Sequence, residues 1–105
     1  MVPDSATLDT IVRSIVDLVH PLRIILFGSA VRGEMGPDSD LDLLIVVRDG
    51  VHRRQTAQML YRQMPDTDIP LEFVVASQDD VQRYGDSVGL ILRQALREGK
   101  ELYAA

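Results

Sequence analysis

Two short, nearly continuous apolar runs set the frame for this chain. The first is Arg23–Phe27 (RIILF), ended by Gly28, and the second is Leu41–Val47 (LDLLIVV), rich in branched side chains. Runs of this length and composition, bounded by turn residues, read as buried strands. The segment between them, GSAVRGEMGPDS, has room for one helical turn after Ser29 and then a loop from Gly33 to Ser39. A chain with this centre builds a sheet and covers it with whatever lies on either side.

What lies on either side is mostly helical. Asp4, Ser5 and Thr7 offer N-caps to a helix whose apolar positions, Leu8, Ile11, Val12, Ile15, Leu18 and Val19, recur at helical spacing as far as Pro21. Asp49 and Gly50 mark a turn, after which Val51 to Met64 is expected to be a helix with a weak apolar face at Val51, Met59, Leu60 and Met64. A turn-rich connection, Pro65 to Pro70, leads to a third strand over Leu71–Ala76. Ser77, followed by Asp79 and Asp80, can cap a short helix through Tyr84. Ser87 can cap a last helix with Val88, Ile91, Leu92, Ala95 and Leu96 on its apolar face and Gly99 as its stop, and Glu101 to Tyr103 adds a small edge strand. The order predicts an α/β (α+β) fold over residues 1–105, one domain with a small mixed sheet of three to four strands covered by helices.

Composition narrows the function classes. Hydrophobic residues at 46% and charged residues at 26% belong to an ordinary folded domain, which excludes disorder and fibrous repeats. Sixteen acidic against eleven basic residues leave a net charge of -5, so the long-range field repels phosphate backbones and opposes stable DNA binding. Any nucleotide bound here needs a local device. The absence of cysteine excludes disulfides, thiolate zinc sites and cysteine nucleophiles. With no signal-like start and no apolar run near the roughly 20 residues that cross a bilayer, the expectation is a cytoplasmic protein without membrane attachment.

The local device is found around Asp40 and Asp42. Two apart at a strand start, they send their side chains to one face about 6.5 Å apart along the backbone. Carboxylates brought to about 5 Å repel by roughly 3 kcal/mol at an effective dielectric of 20, a cost that a hard divalent cation removes. Mg²⁺ takes oxygen ligands and keeps positions open for water and substrate phosphates. Gly28 and Ser29 stand ten residues upstream of Asp40, at the end of the other strand. There a glycine allows close backbone approach, and a serine at a helix start offers a hydroxyl and an amide to a phosphate. Taken singly, a D-x-D opens a strand from a solvated turn and a G-S turn is a simple N-cap. Their combination is what forms a pocket. It is neither a P-loop, since Gly33 is followed by Glu34 and Met35, nor a G-x-G-x-x-G crevice.

The stretch FGSAVRGEMGPDSDLDLLIV resembles the G-S-x10-D-x-D signature of the polymerase beta type nucleotidyltransferase superfamily, and within it the minimal nucleotidyltransferase domains that include MntA-like antitoxins. The likeness is strong over Leu22 to Val47 and weaker over IPLEFVV (Ile69 to Val75) and LRQALREGKELY. It implies that Asp40 and Asp42 bind catalytic Mg²⁺, two ions in all, and that Gly28 and Ser29 hold the terminal phosphates of a nucleoside triphosphate. It also implies a third carboxylate on a neighbouring strand, at the position of Glu72. There the family most often has aspartate, and the extra methylene of glutamate carries the carboxylate outward. An alternative place for Glu72 is as an outward charge on an edge strand, with Leu71 and Phe73 facing the core. Arg32, one turn after Ser29, either leans over the phosphates or anchors the loop to an acidic neighbour.

Three further features have humbler readings. Asp38 and Ser39 suit a turn before the second strand. His20 and His52 lack spaced partners and read as surface or cap residues. Arg48, Arg53 and Arg54, with His52, form a basic run that suits a solvated helix face, a triphosphate contact or an acidic partner.

The resemblance implies transfer of a nucleoside monophosphate, AMP from ATP, to an acceptor hydroxyl. In the resembled branch that acceptor is a tyrosine of a partner HEPN-domain toxin, and the transferase is the antitoxin. Two other functions fit the same residues: a binding module that neutralises a helical partner by contact alone, and a transferase acting on an antibiotic hydroxyl, which ordinarily needs an additional helical domain.

Overall fold

The computed structural model describes residues 4–36, 39–85 and 91–105. In chain order these form α1 (Ser5–Val19), β1 (Arg23–Phe27), α2 (Ser29–Arg32), β2 (Leu41–Val47), α3 (Arg53–Gln63), β3 (Leu71–Ser77), α4 (Gln78–Tyr84), α5 (Ile91–Glu98) and β4 (Lys100–Ala104). Asp38, expected in a turn, and Ser87 and Val88, expected at the start of the last helix, lie outside the described residues.

Local chemistry sets the helix ends. Of the three candidate caps before α1, Asp4 does the work, its carboxylate accepting the Thr7 N–H at 2.7 Å. His20 closes the same helix in the left-handed conformation, with φ 47°, and donates its N–H to the Val16 carbonyl at 3.0 Å. The third helix starts at Arg53 rather than Val51, because the His52 ring accepts the Gln55 N–H at 3.2 Å and ends the turn there. Both histidines are therefore cap residues. A reciprocal capping box starts α4: the Asp80 N–H donates to Ser77 Oγ, and the Ser77 N–H donates to the Asp80 carboxylate.

The sheet order is β3-β2-β1-β4. The β1–β2 and β1–β4 pairs are antiparallel, whereas β2 and β3 run parallel. A mixed four-stranded sheet covered by helices results, as expected for a nucleotidyltransferase fold. The last strand spans Lys100–Ala104 and is joined to β1 by a 2.6 Å ion pair between Arg23 and Glu101.

Alternation along the strands divides the interior in two. On one face Ile24, Leu26, Leu41, Leu43, Ile45, Val47 and Phe73 pack with Ile11 and Ile15 of α1 and Leu60 of α3. On the other, Ile25, Phe27, Leu44, Val46 and Ala76 pack with Ala95 of α5 and the partly buried Val81, Leu92 and Leu96. Burial on both faces explains why β1 and β2 read as continuous apolar runs. It also makes Asp42, on the second face at the start of β2, conspicuous. No described helix is long and apolar enough to cross a membrane.

Candidate functional site

Strand register brings the sequence-predicted groups together. Asp42 lies opposite Phe27 in the antiparallel β1–β2 ladder and opposite Glu72 in the parallel β2–β3 ladder. Phe27 is followed at once by Gly28 and Ser29, so the turn after β1 and the carboxylate on β3 flank Asp42 from opposite sides. Glu72 and Asp42 share a sheet face because they are aligned in register. Glu72 is exposed on an edge strand with Phe73 turned into the core, as the simpler reading had it, and it is also beside Asp42. Asp40 is exposed and immediately precedes the strand.

The turn must be glycine for two separate reasons. Gly28 has φ 78° and ψ -149°, a region essentially closed to residues with a side chain. A Cβ there would stand 2.3 Å from Asp42 Oδ2 and 3.3 Å from its Cγ. The backbone of the turn thus lies directly against the carboxylate, with Ser29 opening α2 beside it.

The electrostatics of Asp42 follow from this crowding. Burial is the largest cause pushing its carboxyl above the ordinary aspartate value; the charge and hydrogen bonding of Glu72, then the charge of Asp40, push the same way. Arg32 alone pulls it back. That guanidinium donates to Glu34 at 3.1 Å, so Arg32 anchors the loop to an acidic neighbour while its field still reaches Asp42. Ser39 shapes the turn before Asp40: its hydroxyl accepts the Gly36 N–H at 2.9 Å, and its own N–H donates to the Gly36 carbonyl at 3.2 Å.

The donor set fits a hard divalent cation in kind. Asp42 is a partly buried carboxylate held next to other carboxylates with one arginine in opposition, so a cation placed there relieves both desolvation and repulsion. Among the described residues, no three carboxylate or imidazole groups already stand close enough to enclose an ion. An ion bound there would draw the neighbouring carboxylates in and leave positions open to solvent and phosphate oxygens.

The basic run lies elsewhere. Val47 and Ser77 pair at the far ends of β2 and β3, five residues or about 16 Å from Asp42. A cleft of about 850 Å³ opens there, with Asp49, Arg53, Arg54, Asp79, Asp80 and Arg83 among its lining residues. Arg53 is paired with Asp80, Arg83 with Asp79 at 3.0 Å, and Asp49 accepts the Asp79 N–H at 2.9 Å. The Arg53–Asp80 pair ties α3 to α4, and the Asp49 contact ties the turn before α3 to α4, so Arg53 is engaged by an acidic neighbour here rather than placed beside Asp42. Sequence reasoning missed Tyr61, whose hydroxyl accepts the Phe73 N–H at 2.9 Å next to Glu72. A tyrosine on a weakly amphipathic helix carries no signal of such a contact.

Comparison with known proteins agrees with the geometry. The family model described as a nucleotidyltransferase domain matches residues 8–100. Among solved structures, a toxin-antitoxin complex with AMP-PNP is 24% identical, with a TM-score of 0.60, over 92% of this chain and 73% of that one. A mutant of the MntA-HpeT toxin-antitoxin complex is 22% identical, with a TM-score of 0.62 and the same coverage of 92% and 73%. A spectinomycin adenyltransferase from Enterococcus faecialis, with ATP and spectinomycin, is 18% identical, with a TM-score of 0.60, over 94% of this chain and 54% of that one. At these identities the likeness is one of fold. No curated protein sequence is similar enough to count as a match.

Proposed function

The chain belongs to the nucleotidyltransferase domain family, and on that premise we propose that it transfers AMP from ATP to an acceptor hydroxyl in a Mg²⁺-dependent reaction. The acceptor in this reading is a tyrosine of a partner HEPN-domain toxin, and the chain is the antitoxin of the pair. The observation that carries the transferase reading is the position of Asp42, packed against the Gly28 turn on one side and in register with Glu72 on the other. The toxin reading is supported by the likeness in fold to two toxin-antitoxin structures, one of them with AMP-PNP.

In this mechanism Asp40, Asp42 and Glu72 would hold divalent cations, two when the site is full, and the ions would supply charge neutralisation at the reacting phosphate. Gly28 lets the turn come close, and the Ser29 hydroxyl and amide receive the terminal phosphates. The acceptor oxygen bonds to the α-phosphorus in line as the bond from that phosphorus to the β-bridging oxygen breaks, and pyrophosphate leaves. The hydroxyl proton passes to a carboxylate, with Glu72 the exposed group placed to take it and release it to water. Arg32 ties Glu34, just after the turn that ends α2, back to that helix.

The test is to incubate the chain, Mg²⁺ and ATP with the protein encoded beside it and to measure a mass gain of one AMP on that partner. Asp42→Asn abolishes the gain while the complex stays intact. Neutralisation of the partner that survives Asp42→Asn overturns catalysis in favour of contact alone. A gain on spectinomycin-like hydroxyls and none on protein moves the acceptor class to small molecules.

A further inference from the structure

Glu72 stands on β3, the edge strand, which has a ladder to β2 on one side only. An edge strand keeps its register less firmly than a central one, and its outward N–H groups need other partners. Two such groups are held by side chains. At the far end the Ser77 N–H donates to Asp80, and beside Glu72 the Phe73 N–H donates to the Tyr61 hydroxyl at 2.9 Å.

Tyr61 grips Phe73 twice. Its ring also meets the Phe73 ring edge-on, with centroids 5.0 Å apart and planes at 65°. Phe73 is 7% exposed and anchored in the core, whereas Tyr61 is 56% exposed. The hydroxyl therefore takes up a backbone donor at the peptide that joins Glu72 to Phe73.

We propose that Tyr61 is a positioning residue for Glu72: by holding the Phe73 N–H it keeps the Glu72 carboxylate beside Asp42 and so raises the affinity of this carboxylate group for a divalent cation. The inference rests on the transferase reading, since it takes Glu72 as a cation ligand. Tyr61→Phe keeps the ring contact and removes only the hydroxyl.

The experiment titrates the whole chain with Mn²⁺ alone and follows the free ion by electron paramagnetic resonance, for the wild type, Tyr61→Phe, Glu72→Gln and the double variant. Tyr61→Phe is expected to weaken Mn²⁺ binding about three- to tenfold, the worth of one hydrogen bond. In the Glu72→Gln background it should change nothing further. An equal loss in both backgrounds marks general loosening and overturns the proposal, as does wild-type affinity in Tyr61→Phe or in Glu72→Gln. A wild type that binds no Mn²⁺ overturns the transferase reading and this inference with it, whereas binding that depends on Glu72 but not on Tyr61 overturns the inference alone. A variant-free check covers failure of Tyr61→Phe to fold. The Phe73 amide of the wild type should exchange slowly with deuterium despite facing the open edge, and exchange at the rate of an unbonded amide refutes the contact.

Discussion

Replacing Gly28 by alanine tests the junction on which the site depends. The backbone at φ 78° and ψ -149° costs a residue with a Cβ about 1–3 kcal/mol. The new methyl must also displace the Asp42 carboxylate, since it would arrive 2.3 Å from Oδ2. The atom it meets is the tip of a partly exposed side chain that has to swing aside, so about a further kcal/mol is expected, for a total of about 2–4 kcal/mol. At roughly 4–8 °C per kcal/mol for a domain near this size, the melting temperature should fall by about 8–32 °C. Gly33→Ala is the internal control, with φ 72° and nothing within 4 Å of a built Cβ, so it has only the left-handed backbone cost of about 1–2 kcal/mol. Urea unfolding of both variants, repeated in an Asp42→Ala background, separates the two contributions. The Gly28→Ala penalty should shrink when Asp42 is truncated, and the Gly33→Ala penalty should not. If Gly28→Ala costs no more than Gly33→Ala, or if truncating Asp42 leaves its penalty unchanged, the turn and the carboxylate are not in contact.

Other expectations follow from the same geometry. Asp42→Asn should stabilise the metal-free protein by about 0.5–1 kcal/mol at pH 7, the Coulomb figure for close charges discounted for solvent screening. Because the folded carboxyl of Asp42 is raised above 3.8, its penalty is full above the folded pKa and gone below the unfolded one. The difference between Asp42→Asn and wild type in denaturant titrations should therefore close as the pH falls toward 3.8. Asp80 behaves oppositely: the Ser77 backbone, then Arg53, hold its carboxyl below 3.8, so its stabilisation is full above that value and lost as the pH falls through the folded pKa. Asp80→Ala should cost about 1–2 kcal/mol at pH 7 and progressively less as the pH falls below 3.8, read by the same titrations. Ser29→Ala should weaken ATP binding in the presence of Mg²⁺ by about tenfold, measured by calorimetry, while changing stability by no more than about 0.5 kcal/mol.

The parts of the fold legible in the sequence were those governed by local composition. Arg23–Phe27 and Leu41–Val47 are apolar on both sides and bounded by glycine or charge, and their limits as strands match those runs. Ser77 with Asp79 and Asp80 marked the start of α4. Where two local signals compete the boundary moves: Val51 is 39% exposed and stays outside α3 because His52 supplies the cap. Pairing was not legible. The residues of LEFVVAS do not themselves state that β3 runs parallel to β2 or that Glu72 falls opposite Asp42, since register depends on how both faces fill; the family resemblance alone pointed to Glu72 on a neighbouring strand. For the site, the spacing of Gly28, Ser29, Asp40 and Asp42 marked the place. Close approach at Gly28 and an acidic partner for Arg32 were legible as options, but that the approach is to Asp42, that the partner is Glu34, and that Tyr61 meets Phe73 arise only in three dimensions.

The most direct measurement is a crystal structure of the chain soaked with Mg²⁺ and a non-hydrolysable ATP analogue. The account predicts a metal ion at about 2.0–2.1 Å from carboxylate oxygens of Asp40 and Asp42, with the terminal phosphates against Ser29 and the Gly28 backbone. An ion held away from Asp42, or phosphates seated among Arg53, Arg54 and Arg83 at the opposite end of β2, contradicts it.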